Sequence, residues 1–478
     1  MKRIFLSLLF SSVLVAASAN NISISNVSLT GQNVTAGTNS TSNFTLVQFS
    51  VSWENSHRIG YGPTNWDAAW IFIKYRVNGG TWEHARLNST GHTAPVGSTI
   101  TTGLLTPTTA FNTTTNPGLG AFIYRNGAGT GTFTATTAQL RWNYGASAIA
   151  DNAVVEVSVY GIEMIYVSQG AFNAGGGGGT GSFTSTTVNS ASALTVPSGT
   201  GTLGGQAGGY PTGQTAPTSA SWPNGFAAFY CMKHEISQQQ YVDFLNNLTS
   251  AQATPRFLTS NSNRYAVTVN SGVYSTTNPS VAMNFLGWAD LESYLDWSGL
   301  RPMTELEYEK ACRGTLSPVS GEYAWGTTSI TGVATLTNAG LASEVSATIA
   351  ANANFNATLT NQGPVRVGMF AGATTTRAQA GASYYGIMEM AGNLWERVVT
   401  LASTEGKAFT GTHGDGSIST LGDHNTISWP AITGLGSRLR GGAFNTANTF
   451  LYVSDRNDFG DVTARSLNTG GRGVRTAP

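Results

Sequence analysis

Charge is scarce in this chain: Asp, Glu, Lys and Arg make up 10% of its 478 residues, and the two signs cancel at 24 each. Proteins that bind nucleic acid or sit on anionic membranes use a sustained positive field. None exists here, so both classes are set aside. Cysteine is scarcer still. Cys231 and Cys312 are the only two, which excludes a disulfide scaffold and leaves open whether they pair or sit apart as buried thiols. The six histidines (His57, His84, His92, His234, His413 and His424) are scattered, without the spacing of a zinc or non-haem iron centre. There is no Gly-x-Ser-x-Gly elbow. The run Gly175 to Gly179 lacks the Lys-Ser/Thr that would make it a phosphate-binding loop. Beyond the N-terminus no apolar run approaches the roughly 20 residues that span a bilayer.

What is present begins with a leader pattern. Lys2 and Arg3 precede an apolar run at 4–16 and the small residues Ala17-Ser18-Ala19, which predicts a signal peptide at 1–19 and a protein secreted to the periplasm or beyond. No cysteine follows for a lipid anchor. Over 20–163, β-rich runs at 22–29, 46–53, 69–77, 121–124, 140–144 and 154–165 alternate with turn clusters, the rhythm of an antiparallel β-sandwich. Val47, Phe49, Val51 and Trp53 alternate with Gln48, Ser50 and Ser52, so one face is buried and the other wet. Asn78-Gly79-Gly80 is a hairpin signal. The Gly/Ser/Thr-rich stretch at about 174–213 reads as an exposed loop.

Helical patterns appear only after that stretch. Ser237 caps a helix over 238–248 with Tyr241, Phe244, Leu245 and Leu248 on one face. A second, over 287–297, presents Trp288, Leu291, Tyr294 and Leu295. Thr304-Glu305-Leu306-Glu307 is a capping box opening a third, to about Cys312.

From residue 164 onward, blocks follow one another in a telling order. They are Met164-Ile165-Tyr166-Val167-Ser168-Gln169-Gly170-Ala171-Phe172, Cys231 to Ser237, Asn278-Pro279-Ser280-Val281 and Arg301-Pro302-Met303-Thr304-Glu305-Leu306-Glu307-Tyr308-Glu309. Tyr385-Gly386-Ile387-Met388-Glu389-Met390-Ala391-Gly392-Asn393-Leu394-Trp395-Glu396, Arg440-Gly441-Gly442-Ala443-Phe444 and Gly473-Val474-Arg475 complete them. Their sequence resembles the formylglycine-generating enzyme, or sulfatase-modifying factor, family. The resemblance implies a loop-rich, C-type-lectin-like α+β domain over 164–478, and with the strand rhythm before it the chain reads as α+β, an N-terminal antiparallel β-sandwich (20–163) followed by a formylglycine-generating-enzyme-like domain (164–478).

The resemblance also implies a site. The family's two redox cysteines, which bind copper, fall at Thr446 and Leu451, and its neighbouring serine at Ala443. A hydroxyl and a hydrocarbon cannot become soft thiolates, so no copper is expected. A structural Ca²⁺ is implied at Glu389, Gly392, Leu394 and Glu396, two carboxylates plus carbonyls from one tight turn. Without the thiols, the leading expectation is a non-catalytic binding protein. Its ligand, a protein or glycan, would meet Asn445, Thr446, Asn448, Phe450, Tyr452, Asn457, Asp458, Phe459 and Asp461, which mix amide and aromatic groups suited to recognition. Three alternatives stay open: a family enzyme with divergent chemistry, a self-assembling surface-layer protein, and a lectin-fold receptor diversified by a retroelement, whose variable region this segment also resembles.

Overall fold

The alternating stretch around Phe49 forms a long strand, with Val47, Phe49, Val51 and Trp53 fully inside. In the computed structural model, which describes residues 22–183, 185–191, 217–372, 374–456 and 464–478, it belongs to a set of eight. These are β1 (Ser23–Asn33), β2 (Phe44–Ile59), β3 (Asn65–Val77), β4 (Glu83–His84), β5 (Ser98–Leu104), β6 (Gly118–Arg125), β7 (Gly129–Trp142) and β8 (Val155–Val167). The expected leader at 1–19 lies outside the described residues. β2 pairs with β1 and β7, while β3 pairs with β6 and β8, and the two layers join at a corner where only Arg58↔Trp66 and Ile59↔Asn65 are in register. Phe49 and Trp53 of β2 and Leu140 of β7 meet Ile71 and Ile73 of β3 and Ile123 of β6 in one hydrocarbon core. Asn78 and Gly79 take positive φ in the turn from β3 to β4, as the hairpin signal required.

β3 is buried on both faces. Ala69, Ile71 and Ile73 face the sandwich, while Ala68, Trp70 and Phe72 belong to a second core with the helices that follow. That explains its unbroken apolar run. The expected boundary at 163/164 falls within β8. Residues 155–165 of β8 pair with β3 and residues 164–167 pair with the strand beyond, so the sheet passes from one part of the chain into the other without a break.

The remainder adds the hairpin β9 (Phe172–Ala174) and β10 (Thr186–Val188), strand β11 (Phe229–Met232), helices α1 (Gln238–Asn246) and α2 (Ser250–Ala253), and the hairpin β12 (Val267–Asn270) and β13 (Val273–Thr276). Helix α3 (Trp288–Trp297), β14 (Arg301–Pro302), helix α4 (Glu305–Arg313) and the hairpin β15 (Leu336–Thr337) and β16 (Val345–Ser346) come next. β17 (Trp395–Val399), β18 (Ser437–Arg440), β19 (Thr469–Gly470) and β20 (Gly473–Thr476) complete the elements used below. β11, β20 and β14 extend the main sheet past β8, while β17 lies between β18 and β19 in a separate sheet. Ser237 and Thr304 cap α1 and α4, each in a reciprocal box with the third helical residue. Among the described residues no helix is long and apolar enough to cross a membrane.

The glycine run departs from the exposed loop expected of it. The Gly175 N–H donates to Glu309 Oε2 at 2.6 Å and the Gly177 N–H to Ser454 Oγ at 3.2 Å. A Cβ on Gly177 would lie 2.7 Å from Arg313 Nη2. These glycines let the backbone pass close over buried polar side chains, which no larger residue permits. Residues 192–213 of the stretch lie outside the described residues.

Candidate functional site

Three buried glutamates of α4 organise the region. Glu307 pairs with Arg301 at 2.6 Å, Glu305 with Arg456 at 2.6 Å and Arg440 at 3.4 Å, and Glu309 with Arg440 at 2.9 Å. Burial raises the Glu305 carboxyl. Arg456 and Arg440 outweigh it, and Glu305 ends below the usual carboxylate value. These pairs fix Arg440 at the end of β18, and with it the Gly441-Gly442 turn. Both glycines have positive φ, and a Cβ on Gly442 would lie 2.4 Å from Leu451.

After this turn comes the segment that the resemblance marks as the former redox site. Thr446 Oγ1 accepts from the Ala443 N–H at 2.9 Å and donates to the Ala443 carbonyl at 3.0 Å, closing a tight local loop. Leu451 is fully buried in a core that also holds Cys231 and Cys312. Both thiols are unbonded and buried. Burial pushes both pKa values up, that of Cys312 to about 12, away from reactive thiolate character.

Five of the expected ligand residues lie together on this segment. Asn445 and Asn448 are exposed, and Thr446, Phe450 and Tyr452 are half-buried. Phe450 meets the Trp395 ring edge-on at 5.8 Å, Tyr452 lies 5.4 Å from Tyr323, and Asn448 Nδ2 donates to the Tyr323 hydroxyl at 3.2 Å. Asn445 Oδ1 accepts from Asn468 Nδ2 at 3.0 Å. The backbone is pinned from behind, where the Asn356 and Ala357 N–H groups donate to the carbonyls of Thr446 and Phe444. Asn457, Asp458, Phe459 and Asp461 lie outside the described residues.

The residues expected around Ca²⁺ serve other bonds. Glu396 Oε1 pairs with Arg472 at 2.5 Å, and Glu389 Oε1 accepts from the Gly368 N–H at 2.8 Å while its Oε2 lies 3.6 Å from His234 Nδ1. Gly392 and Leu394 flank Asn393, whose side chain binds Glu235, Asn354 and the Val365 N–H. Gly392 is required by a close approach, since a Cβ there would sit 2.6 Å from the Asn354 carbonyl. Glu389 Oε2 and Glu396 Oε2 each accept no hydrogen bond. Calcium takes roughly six to eight oxygens, and of the expected set Glu396 Oε1 and Glu389 Oε1 already accept from Arg472 and the Gly368 N–H. In this arrangement the Arg472 guanidinium supplies positive charge beside Glu396.

The family model for the sulfatase-modifying factor enzyme 1-like domain matches residues 180–477. The chain belongs to this family. Among solved structures, PvdO from Pseudomonas aeruginosa is similar at 18% identity over 66% of this chain and 95% of PvdO, with a TM-score of 0.34. Treponema denticola variable protein 1 is similar at 14% identity over 66% of this chain and 96% of its own, with a TM-score of 0.32. No curated protein matches the chain. Sequence reasoning had not singled out Arg472, Glu235 or Lys233 in this sulfatase-modifying-factor domain. A signal existed: in a chain with so little charge, a charged residue inside an aromatic block such as Tyr230 to Ile236 has a specific partner.

Proposed function

We propose that this chain is an exported, non-catalytic binding protein built on a sulfatase-modifying-factor domain, with its ligand surface on residues 445–452. The observation that carries the reading is the pair Thr446 and Leu451, a hydroxyl engaged with its own loop and a hydrocarbon in the core, standing where sulfur would bind copper. Neither remaining thiol substitutes, since both are buried with raised pKa values. What is left at the surface is a pinned backbone carrying amides and half-buried rings, and a preorganised segment of that kind loses little entropy on binding.

Copper(I) titration and a thiol-peptide oxidation assay on the purified chain test the first half, with no stoichiometric copper and no turnover expected. Measurable turnover defeats the reading. The second half is tested on a glycan array and by pull-down from the native cell surface. The double variant Asn448→Ala/Tyr452→Ala, folded by circular dichroism, is expected to lose at least about tenfold in affinity for whatever the parent captures.

A further inference from the structure

Between the sandwich and the family domain lies a cleft of about 640 Å³, walled by Lys74, Trp82 and Glu83 on one side and by Asn247, Trp297 and Asp415 on the other. It shares no residue with the 445–452 surface, and its argument does not rest on that reading. Ligand pockets commonly have this size and often lie where two parts of a chain meet.

The walls hold buried polar atoms whose hydrogen-bonding capacity is unmet. Asn247 is 8% exposed. Its Nδ2 donates to the Tyr160 hydroxyl at 2.5 Å and the Asp243 carbonyl at 3.2 Å, while its Oδ1 has no partner. Lys74, 2% exposed, donates from Nζ to the carbonyls of Trp297 at 2.7 Å and Gly416 at 2.6 Å. Burial lowers the Lys74 pKa to about 7, so near neutral pH the position beyond its two donated bonds is an N–H or a lone pair, which a hydroxyl can match in either state. The Trp297 Nε1–H is also buried and without an acceptor. Buried polar groups in folded proteins are nearly always satisfied by protein, solvent or ligand.

The mixture of unmet groups selects the chemistry. Phosphate or a carboxylate brings acceptors only, and would leave Asn247 Oδ1 unmatched while facing the carboxylates of Glu83 and Asp415. An ammonium brings donors only and would leave the Trp297 Nε1–H unmatched. A hydroxyl both donates and accepts, so several hydroxyls on one rigid frame can meet all of these groups. At the rim, Trp82 is half-buried, with the Arg76 guanidinium 4.8 Å from its ring centroid. That backing fixes the indole as a platform for the C–H face of a sugar ring. Glu83 spends one carboxylate oxygen on the Tyr75 hydroxyl and Asp415 one on Ser417, leaving the others for further hydroxyls.

We propose that this cleft is a binding site for a neutral mono- or disaccharide, stacked on Trp82 and hydrogen-bonded to Asn247 and Lys74. The test is intrinsic tryptophan fluorescence of the full chain, titrated with glucose, galactose, mannose, N-acetylglucosamine, maltose, cellobiose and lactose, with sodium phosphate and sodium acetate alongside. At least one sugar is expected to give a saturable change that Trp82→Ala and Asn247→Leu each weaken about tenfold or more, with far-UV circular dichroism unchanged. Should Asn247→Leu fail to fold, Trp82→Ala at the rim decides. The proposal is overturned if no sugar saturates, if phosphate or acetate saturates instead, or if the folded variants bind as the parent does.

Discussion

The two parts of this chain fill their interiors with different material. In the sandwich, strands satisfy one another's backbone groups, and the core they enclose is mainly hydrocarbon, with Val47, Phe49, Ile71, Ile73 and Leu140 in it. In the family domain, long loops leave carbonyls that no ladder takes up, and buried arginines serve them. Arg472 donates to the carbonyls of Met232, Lys233 and Met388, Arg397 to those of Leu286 and Ala464, and Arg313 to that of Asn173. Carboxylates answer two of these guanidinium groups, Glu396 beside Arg472 and Glu309 and Glu322 beside Arg313. A loop-rich interior must import its donors as side chains. A sheet-rich one carries them in its backbone.

Removing one partner should therefore hurt the two parts unequally. Arg440→Met leaves Glu305 without one of its two arginines and Glu309 with only Arg313, both inside the protein. It is expected to cost about 3–5 kcal/mol in urea unfolding at neutral pH, the usual cost of stranding a buried charge. Arg440→Lys should recover little, because one ammonium cannot span both carboxylates and the Val453 carbonyl. In the sandwich, Ile71→Val is expected to cost only about 1 kcal/mol. Equal costs for Arg440→Met and Ile71→Val would break the comparison.

The seam tests whether the parts are separable. Lys233 Nζ, from the family domain, pairs with Asp67 at 3.3 Å on β3 and Glu163 at 3.1 Å on β8. Lys233→Met should cost about 3 kcal/mol by taking the ammonium away from both buried carboxylates. Because the sheet is continuous through β8, the parent should unfold in one transition seen alike by circular dichroism and tryptophan fluorescence, and two transitions in the parent would show that the parts fold independently.

A smaller effect sharpens the contrast through pH. Burial holds the Asp243 carboxyl up to about 7, whereas an unfolded chain releases that proton near 4. Between those values the folded state binds more protons, so this group's contribution to stability falls as pH rises from about 4 to about 7, then levels off. Glu305 behaves oppositely: its folded value is depressed, so its contribution is present above the unfolded value of about 4.5 and lost as pH falls through the folded one. Asp243→Asn should gain on the parent by about 1–3 kcal/mol between pH 5 and pH 8, read from Tm at each pH. A pH-independent difference would show that Asp243 is ionised in the fold.

Much of this was legible in the sequence because it is local. Period-two burial in β2, the caps at Ser237 and Thr304 and the aromatic stripes of α1 and α3 are each written within a dozen residues, and the ordered blocks gave the family. β5 was missed because Ser98-Thr99-Ile100-Thr101-Thr102 has no apolar alternation, and its strand character comes from pairing with β6. The expected cut at 163/164 falls inside β8, since a strand shared by two partners reads like one that ends a domain. The pairings Arg472 with Glu396 and Lys233 with Asp67 and Glu163 join residues far apart in the chain, and neither spacing nor composition carries that information. Placing the pieces of the candidate surface depended on the same distant contacts, through Tyr323, Asn356 and Asn468.

The smallest expected effect concerns calcium, where a local pattern and a distant partner compete for one carboxylate. Burial raises the Glu396 carboxyl and Arg472 pulls it back, leaving it still above the usual value, which is a poor starting point for a hard cation that requires an ionised ligand. An ion bound at 100 times its Kd would add about 2.7 kcal/mol, several degrees of Tm. Adding CaCl₂ or EDTA is instead expected to move Tm by less than about 1 °C, since an incoming ion would have to displace a guanidinium that also holds the carbonyls of Met232, Lys233 and Met388. A calcium-dependent rise of several degrees in the parent that Glu389→Gln abolishes would mean that the turn around Asn393 opens to admit the ion, and that the arginine lattice of the family domain is less rigid than its buried pairs imply.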